Sequence, residues 1–426
     1  MMLVFGVLSF WLREAEVSRA EIGYFSWVAL AYSIKWLWSP LADHLALPKL
    51  HLWFGRRRSW LLLSQVLVML AIFGIASSDP QHNLPMMAAF AVLLAFASAT
   101  QDINVDAFRI ESGPKEVQAA LAASYLTGYR LAMIFASAGT LWLAAIFSGG
   151  SRDYQLQGWQ QAYVVMALCM LLGIFATLFS KEPLSNLTKT VATEGKPMVR
   201  FVNWLKQAAV APFIDFFQRY KWQALLILAL IACYRLSDIV MGVMANAFYV
   251  DMGFSKEEVA AVSKVYGVVM TLVGAALGGY LITRFGILRI LLVGAILSAV
   301  TNMLFSVLSY IGYDIFWLTV VISADNLSAG IATSAFIAYL SSLVNLAFTA
   351  TQYAMFSSLM LLLPKFIGGF SGVWVDMMGY SQFFIFSALL GAPAVILILI
   401  IQSKTPFAEP TLNSTTTKSS QEKGVP

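Results

Sequence analysis

Residues 84–111 read LPMMAAFAVLLAFASATQDINVDAFRIE, an apolar run that ends among acidic and basic side chains. Crossing a bilayer core of about 30 Å takes roughly 20 apolar residues, so this stretch predicts a membrane-spanning helix. Its last part nevertheless carries Asp102, Asp106, Arg109 and Glu111. Charged side chains within a membrane are energetically unfavourable and usually face a bundle interior or a watery path. The stretch therefore predicts a helix that lines such a path and ends at the membrane surface.

The composition of the whole chain predicts an integral membrane protein. Of 426 residues, 59% are hydrophobic and 12% are charged, whereas a soluble domain carries about 25% charged residues. The net charge of +5 is typical of a polytopic protein that retains Lys and Arg on its cytoplasmic side, and no soluble basic domain is present to bind nucleic acid. Two cysteines and three scattered histidines form neither a disulfide framework nor a metal site, and no P-loop or dinucleotide fingerprint occurs. We expect no metal and no cofactor.

Apolar runs bounded by charged residues, proline or glycine predict twelve helical segments. They are 1–12, 22–42, 60–77, 85–107, 118–147, 161–180, 222–249, 259–283, 287–311, 315–342, 352–378 and 381–402. The first segment would reach roughly 18 Å, which is too short to cross the membrane. It lacks the basic region of a signal peptide, so we expect it to be the second half of a truncated first helix.

The distribution of cations predicts the orientation. With Arg289 counted in its loop, 18 of the 27 Lys and Arg residues fall in the C-terminal tail or in loops that follow even-numbered segments. Loops after odd-numbered segments hold four. Because cytoplasmic loops carry the excess of Lys and Arg, the even loops and both termini are expected in the cytoplasm.

A long basic connection, residues 181–221, separates an N-terminal half (1–180) from a C-terminal half (222–402). Its second part, FVNWLKQAAVAPFIDFFQRYK (201–221), predicts an interfacial amphipathic helix interrupted at Pro212. The alternative is a plain linker helix without a regulatory role. The tail 403–426 is polar and rich in Ser and Thr, which predicts disorder.

The two halves share features that stand six segments apart. FGRRRSW (54–60) follows segment two, and RFGILR (284–289) follows segment eight. Two six-helix halves of the same orientation are the parallel repeat of major facilitator transporters. Segments three, six and twelve contain no charged residue, and segment nine carries only Arg289 near its start. We therefore predict an all-α membrane bundle in which every third helix faces lipid and the others enclose a polar path.

Several stretches resemble the AmpG-type muropeptide permeases of the major facilitator superfamily. They are SPLADH with FGRRRSW, QDINVDAF, VAPFIDFF, DNLSAGIATSAF and FTATQYAMFSSL. The resemblance implies proton-driven import of anhydromuropeptides across the bacterial inner membrane for cell-wall recycling, and an indirect link to β-lactamase induction. Acetyl-coenzyme A transporters of the superfamily carry a similar QD…VD run, so this run does not fix the substrate. Asp325 stands where the family usually has glutamate, and Lys365 where arginine is common.

The charges inside the segments, with neighbouring polar and aromatic residues, predict a substrate and proton pathway. Its candidate residues are Lys35, Gln101, Asp102, Tyr129, Arg130, Tyr234, Arg235, Asp238, Lys264, Asp325, Asn326 and Lys365. Arg130, Lys264 and Lys365 have no acid at helical spacing. They pair either with Asp102 or Asp325 across helices or with a substrate carboxylate. Arg235 and Asp238, three residues apart, can neutralise each other. Tyr129 and Tyr234 either stack on sugar rings or pack in the core.

Charges at the cytoplasmic helix ends predict a gate. Its candidate residues are Asp43, Arg56, Arg57, Arg58, Asp106, Arg109, Glu111, Arg284 and Arg289. We expect Asp106, Arg109 and Glu111 to mark the end of segment four and to pair with the arginines of GRRR. Asp102 lies about one turn deeper, where it serves either proton coupling or a structural ion pair.

Four functions compete at this point. The first is a proton-coupled muropeptide importer, which would act as a monomer with protons, the substrate and lipid as partners. The second is a carrier of another organic anion, such as an acyl-coenzyme A or a sugar acid. An enzyme acting on lipid-linked glycan would need a catalytic cluster in a large outer loop, and the outer loops are short. A sensor or scaffold is disfavoured by the many intramembrane charges.

Overall fold

A computed structural model describes residues 3–39, 47–113, 118–151, 153–183, 211–343 and 349–404. Every regular element within these residues is a helix. Nine of the helices described are long and apolar enough to cross a membrane. The fold class is therefore the predicted one, an all-α membrane bundle of about twelve helices in two halves.

The first half contains helices α1 to α6. Helix α1 comprises Val4–Leu8 and Ser9–Glu14, and α2 comprises Arg19–Phe25, Ser26–Ala29, Leu30–Ser33 and Lys35–Leu37. Helices α3, α4 and α6 are Arg56–Ala76, Leu84–Glu111 and Leu156–Phe179, and α5 comprises Gln118–Ile134, Phe135–Gly139 and Thr140–Phe147. A short helix, Leu50–Phe54, precedes α3.

The second half contains helices α7 to α12. Helix α7 comprises Gln223–Cys233 and Leu236–Asp251, and α8 comprises Lys256–Val259, Ala260–Tyr266 and Gly267–Phe285. Helices α9 and α10 are Ile287–Ile311 and Ile315–Leu343. Helix α11 begins at Thr349–Gly368 and continues into the run Ser371–Leu389, which Gly379 divides; the rest of that run and Ala392–Lys404 form α12.

The division between α11 and α12 depends on Gly379. Its φ of 77° lies in the left-handed region, which glycine adopts without steric penalty. The predicted boundary between segments eleven and twelve, at residues 378–381, coincides with this residue.

A larger hydrophobic core joins both halves at one end of the bundle. It combines Trp11 and Trp159 of the first half with Phe248 and Phe384 of the second. A second core lies at the opposite end and contains residues of the C-terminal half and of the linker, among them Phe216. The buried apolar side chains thus hold the halves together at the end where α1 and α7 finish.

Helices α2 and α11 cross closely within this joint. A Cβ atom on Gly23 would lie 2.6 Å from the carbonyl oxygen of Gly369. No side chain with a Cβ atom fits at such a distance. The two helices can therefore approach this closely because residue 23 is glycine. Trp27 covers the crossing and donates its indole N–H to the carbonyl of Phe366 at 2.9 Å.

The amphipathic linker helix, Ala211–Tyr220, docks on the second half. Phe216 is fully buried and contacts Phe356, with ring centroids 5.1 Å apart. Pro212 is the second residue that the structure describes in this helix. The predicted interruption there involves residues 201–210, which lie outside the described residues, as does the tail from residue 405.

Candidate functional site

Helix ends of both halves meet in a group of ionic contacts around Asp251. The Asp251 carboxylate lies 2.5 Å from Arg13 Nε and 2.8 Å from Arg19 Nη2, and it accepts a hydrogen bond from the Tyr380 hydroxyl at 2.6 Å. Arg19 also reaches Asp376 at 3.1 Å. We call these five residues the Asp251 cluster. The Asp251 side chain is 11% exposed, so the cluster excludes most water.

A second contact between the halves lies at the same end. Lys256 Nζ is 2.5 Å from a carboxylate oxygen of Glu14, and the Lys256 side chain is only 3% exposed. Trp159 donates its indole N–H to the other Glu14 oxygen at 2.5 Å. Trp159 in turn stacks on Trp11, with ring centroids 5.7 Å apart. A buried lysine therefore has its carboxylate partner on the opposite half of the protein.

These contacts hold one end of the bundle closed. Arg13, Glu14 and Arg19 belong to the first half, and Asp251 and Lys256 belong to the second. Among the ion pairs between residues that the structure describes, every pair that joins the two halves lies in one of these two groups. Breaking a buried ion pair by removing one partner is strongly destabilising. We refer to this part of the bundle as the Asp251 end.

Sequence reasoning missed this closure. In the sequence, the cations of the loops after odd-numbered segments indicate only the orientation of the chain. Three of the four cations in those loops, Arg13, Arg19 and Lys256, bind carboxylates of helix ends that are far away in sequence. A single sequence contains no spacing rule that links residues 238 positions apart.

Within the bundle, the described partner of Asp102 is Lys35 of α2. Lys35 Nζ lies 3.8 Å from Asp102 Oδ2, and the two side chains are 33% and 40% exposed. The contact is loose and open to water, unlike the tight pairs of the Asp251 cluster. Pairing of Asp102 with Arg130, Lys264 or Lys365 was one of two alternatives for those cations, and the described ion pair of Asp102 is with Lys35 instead. Lys35 lies near the face of the Tyr32 ring, 5.6 Å from its centroid.

The predicted pair on α7 is confirmed. Arg235 Nη2 lies 2.5 Å from Asp238 Oδ2, and Arg235 Nη1 donates to Thr333 of α10 at 2.6 Å. The pair lies where α7 is interrupted between Cys233 and Leu236. Asp325 lies on α10 close to Thr301 of α9, with 3.4 Å between their oxygens.

Two of the predicted pathway residues make contacts between helices of the second half. Tyr234 is 5% exposed, stacks on Phe336 at 4.4 Å and donates its hydroxyl to the carbonyl of Leu291 at 3.1 Å. Of the two alternatives for Tyr234, the structure shows packing in the core. Asn326 accepts a hydrogen bond from Thr271 at 2.9 Å and thereby joins α10 to α8.

The remaining pathway candidates are spread over four helices. Tyr129 is 45% exposed on α5, and Gln101, Arg130, Lys264 and Lys365 are partly buried. Lys264 donates a hydrogen bond to another helix, to Asn246 Oδ1 at 2.8 Å.

At the opposite end of the bundle, Glu111 binds two arginines as predicted. Arg57 Nη2 lies 2.6 Å from Glu111 Oε1, and Arg56 lies 3.6 Å from the same oxygen. The Glu182 carboxylate accepts the backbone N–H groups of Arg57 and Arg58 at 2.8 and 3.1 Å. An anion at a helix N-terminus satisfies donors that have no partner within the helix, so Glu182 fixes the start of α3.

The other gate candidates differ from the prediction. Arg58 binds the carbonyl oxygens of Thr177 and Leu178 rather than an acid of α4. Asp106 lies 3.7 Å from Arg109 of its own helix and not beside an arginine of GRRR. The physical reason is that Glu111 already occupies the guanidinium of Arg57. Two gate candidates, Arg284 and Arg289, are exposed, and Asp43 lies outside the described residues.

The linker helix binds the second half through a polar network that the sequence did not predict. Asp215 and Arg219 of the linker pair at 2.9 Å. The buried Gln352 of α11 donates to Asp215 at 2.8 Å and accepts from Arg219 at 3.1 Å. Arg219 also donates to the carbonyl of Leu343 at the end of α10. The linker thus connects the end of α10 with the first part of α11.

Comparison with known proteins agrees with this architecture. The Major Facilitator Superfamily model matches residues 1–369. The "Anhydromuropeptide permease" of Escherichia coli (strain K12) is 38% identical over 93% of this chain and 76% of its own length. The "Putative transporter AmpG 4" of Rickettsia felis is 32% identical over 95% of this chain and 93% of its own length.

Solved structures show the same fold at low identity. The crystal structure of a D-xylose-proton symporter superposes with a TM-score of 0.63, at 13% identity, over 95% of this chain and 97% of the symporter. This likeness concerns the fold alone. Together with the family match and the two relatives, it identifies the chain as a multi-pass membrane transporter that belongs to the AmpG-type permeases of the Major Facilitator Superfamily.

Proposed function

We propose that the chain imports anhydromuropeptides, GlcNAc-anhydroMurNAc and its peptides, across the bacterial inner membrane by symport with protons, for peptidoglycan recycling. The 38% identity to the E. coli permease supports the substrate class. The observation that carries the mechanism is that the described ion pairs between the halves all lie at the Asp251 end. A bundle whose described ion pairs between the halves all lie at one end can open at the other.

In this proposal the Asp251 end faces the outside of the cell. The excess of Lys and Arg in the even loops supports a cytoplasmic position for those loops and both termini. The conformation would then be inward-facing, with Glu111 and the arginines of GRRR at the cytoplasmic side. Alternating access follows if the Asp251 cluster opens while the halves close at the opposite end. The transporter would act as a monomer surrounded by lipid.

Asp102 and Lys35 are the proposed coupling pair. Their charges lie 3.8 Å apart and both side chains are reached by water, so a proton and a substrate anion can each compete for one member. Proton uptake by Asp102 would release Lys35 to bind a substrate carboxylate. Two ligands that compete for a shared ion pair are thermodynamically coupled.

Uptake into inverted and right-side-out membrane vesicles tests the proposal. Labelled GlcNAc-anhydroMurNAc is supplied with a proton gradient, without one, and with an ionophore. We expect wild-type vesicles to accumulate substrate only when the gradient is present. Asp102→Asn keeps the size of the side chain but removes its titration, so it should abolish accumulation and retain downhill exchange.

Asp106→Asn is the matched control, because Asp106 lies one turn further along α4 and has its own partner, Arg109. It should retain accumulation. If Asp102→Asn concentrates substrate to the wild-type level, Asp102 has a structural role. If wild-type protein transports no anhydromuropeptide under any gradient, the proposed substrate is wrong.

The second candidate is a carrier of a different organic anion. The QD…VD run at residues 101–106 favours it, because that run resembles acetyl-coenzyme A transporters as well as muropeptide permeases. Unlabelled acetyl-coenzyme A or a sugar acid that displaces labelled muropeptide, and is itself accumulated, would support this candidate.

A further inference from the structure

Among the described residues, three π-helical stretches occur in helices that line the junction between the halves. They are Val4–Leu8 in α1, Phe135–Gly139 in α5 and Ala260–Tyr266 in α8. The first two are neighbours, since a Cβ atom on Gly6 would lie 3.7 Å from Ser137 Cβ. The second and third also contact each other. π-Helical turns are rare and frequently occur at functional sites. The three stretches therefore indicate that the side chains around them belong to a functional site.

The side chain of Lys264 projects from the third π-helical stretch and donates to Asn246 Oδ1 of α7 at 2.8 Å. Asn246 is 3% exposed. Its amide group donates to Ser9 Oγ at 2.9 Å and approaches the carbonyl oxygen of Gly6 at 3.4 Å. A chain of hydrogen bonds therefore runs from a cation of the second half to α1 of the first half.

Lys264 lacks a negatively charged partner among the described residues. An ammonium has three donors, and its described acceptor is the neutral Asn246 oxygen. A partly buried cation without a counter-ion is energetically unfavourable unless an anion approaches it. By contrast, Lys35 and Arg235 have carboxylates within ion-pair distance. These two therefore already have protein counter-ions.

The position of Lys264 suits a ligand that enters from the open end. It lies eight residues after Lys256 on the same helix, a distance of roughly 12 Å along the axis at 1.5 Å per residue. Lys256 belongs to the closed contact with Glu14. Lys264 therefore lies about two turns inside the bundle from the closed end, deep enough to meet a substrate at the limit of its path.

We propose that Lys264 binds a carboxylate of the transported substrate, and that Asn246 positions its ammonium. This assignment rests on the proposed function and adds the group that recognises the substrate's negative charge. On binding, the carboxylate takes the place of a neutral acceptor, and Lys264 gains the charge-assisted hydrogen bonds that the protein does not supply. Arg130, another pathway candidate without an ion pair among the described residues, makes no described hydrogen bond that would fix it.

The test compares two probes that differ in one charge. GlcNAc-anhydroMurNAc has a single carboxylate on its lactyl group, and its carboxamide is neutral. Equilibrium binding of both is measured on purified wild-type protein and on Lys264→Met. We expect Lys264→Met to weaken binding of the acid about 10- to 100-fold, in line with a charge-assisted hydrogen bond, and to change binding of the amide less than about threefold.

Two further variants distinguish a specific loss of binding in Lys264→Met from a folding defect. Asn246→Asp retains Lys264 and supplies an internal carboxylate at the position of the present acceptor. It should weaken binding of the acid as Lys264→Met does, because the protein then neutralises its own cation. Lys181→Met is the matched control, since Lys181 is an exposed lysine that follows α6 and belongs to neither the predicted pathway nor the predicted gate. It should bind both probes like the wild type.

The deciding quantity is the ratio of the binding affinity for the acid to that for its carboxamide. An unchanged preference in folded Lys264→Met, or in Asn246→Asp, would overturn the assignment of Lys264 even though transport persists. Wild-type protein that binds neither probe would overturn the proposed function, and the assignment with it.

Discussion

Replacing Asp251 by asparagine should open the Asp251 end. Asp251 accepts contacts from Arg13 at 2.5 Å, Arg19 at 2.8 Å and Tyr380 at 2.6 Å, and its side chain is 11% exposed. Asparagine has nearly the same shape but no charge. Two arginines of the first half would lose their shared counter-ion on the second half, and the closed arrangement would be destabilised relative to one in which those arginines are hydrated.

The size of the effect follows from burial. Removing one partner of a buried ion pair costs about 3–5 kcal/mol. Arg13 and Arg19 are 20% and 29% exposed, so solvent reduces the cost, and about 2–3 kcal/mol is a reasonable expectation. Since about 1.4 kcal/mol is a tenfold change in an equilibrium constant, the balance between closed and open forms should shift by about 30- to 160-fold.

Distance measurements between spin labels can detect this shift. Cysteines at His82 and Tyr310 place one label on each half at the Asp251 end, and both native side chains are about four-fifths exposed. Native Cys169 and Cys233 are replaced beforehand. In the Asp251→Asn protein, the distribution of distances between the labels should gain a longer component.

Asp376→Asn is the matched control for this experiment. Asp376 touches Arg19 at 3.1 Å, but its side chain is 40% exposed, and exposed ion pairs contribute little. The control should keep the short distance. The reasoning would be refuted if Asp251→Asn left the distribution unchanged, or if both variants shifted it equally.

Three further substitutions probe the other contacts. Glu14→Gln leaves the buried Lys256 without a carboxylate and should lower the midpoint of thermal unfolding in detergent, because an uncompensated buried charge costs several kcal/mol; an unchanged midpoint would contradict this. Glu111→Gln removes the negative charge that Arg56 and Arg57 contact and should slow turnover more than it weakens substrate binding; a large loss of equilibrium binding with normal exchange would argue against a gating role. Gln352→Ala removes both bonds from α11 to the linker helix and should accelerate proteolysis within the linker, whereas wild-type digestion kinetics would show that apolar packing alone holds it.

The membrane helices were predictable because each must be apolar over a fixed length. Errors occur where a helix continues beyond its apolar part. Helix α3 begins at Arg56 rather than at residue 60, and α4 extends to Glu111 rather than to residue 107. Hydropathy falls at the first charge, but the backbone stays helical because these terminal charges bind each other across the two helices.

Ion pairs within one helix could be predicted, and most of those between helices could not. Arg235 and Asp238 lie three residues apart, and helical spacing alone brings them together. Lys35 and Asp102 meet because α2 packs beside α4, a fact of topology that spacing does not contain. The closure at Asp251 is further from prediction, because it depends on how the two halves are arranged in one conformation.

The closed end and Lys264 share helix α8, and this has a thermodynamic consequence. Lys256 holds one end of the helix to Glu14, and Lys264 lies eight residues further on. If substrate binds Lys264 only in the form that is closed at Asp251, its apparent affinity equals the intrinsic affinity multiplied by the fraction of protein in that form. Asp251→Asn should then weaken binding from the end opposite Asp251, by no more than the 30- to 160-fold shift expected for the conformational balance. A weakening that exceeds the shift measured with the spin labels would mean that Asp251 contacts the substrate itself. Equal affinity in both proteins would mean that substrate binds the two conformations alike, and that occupancy of Lys264 does not bias the gate.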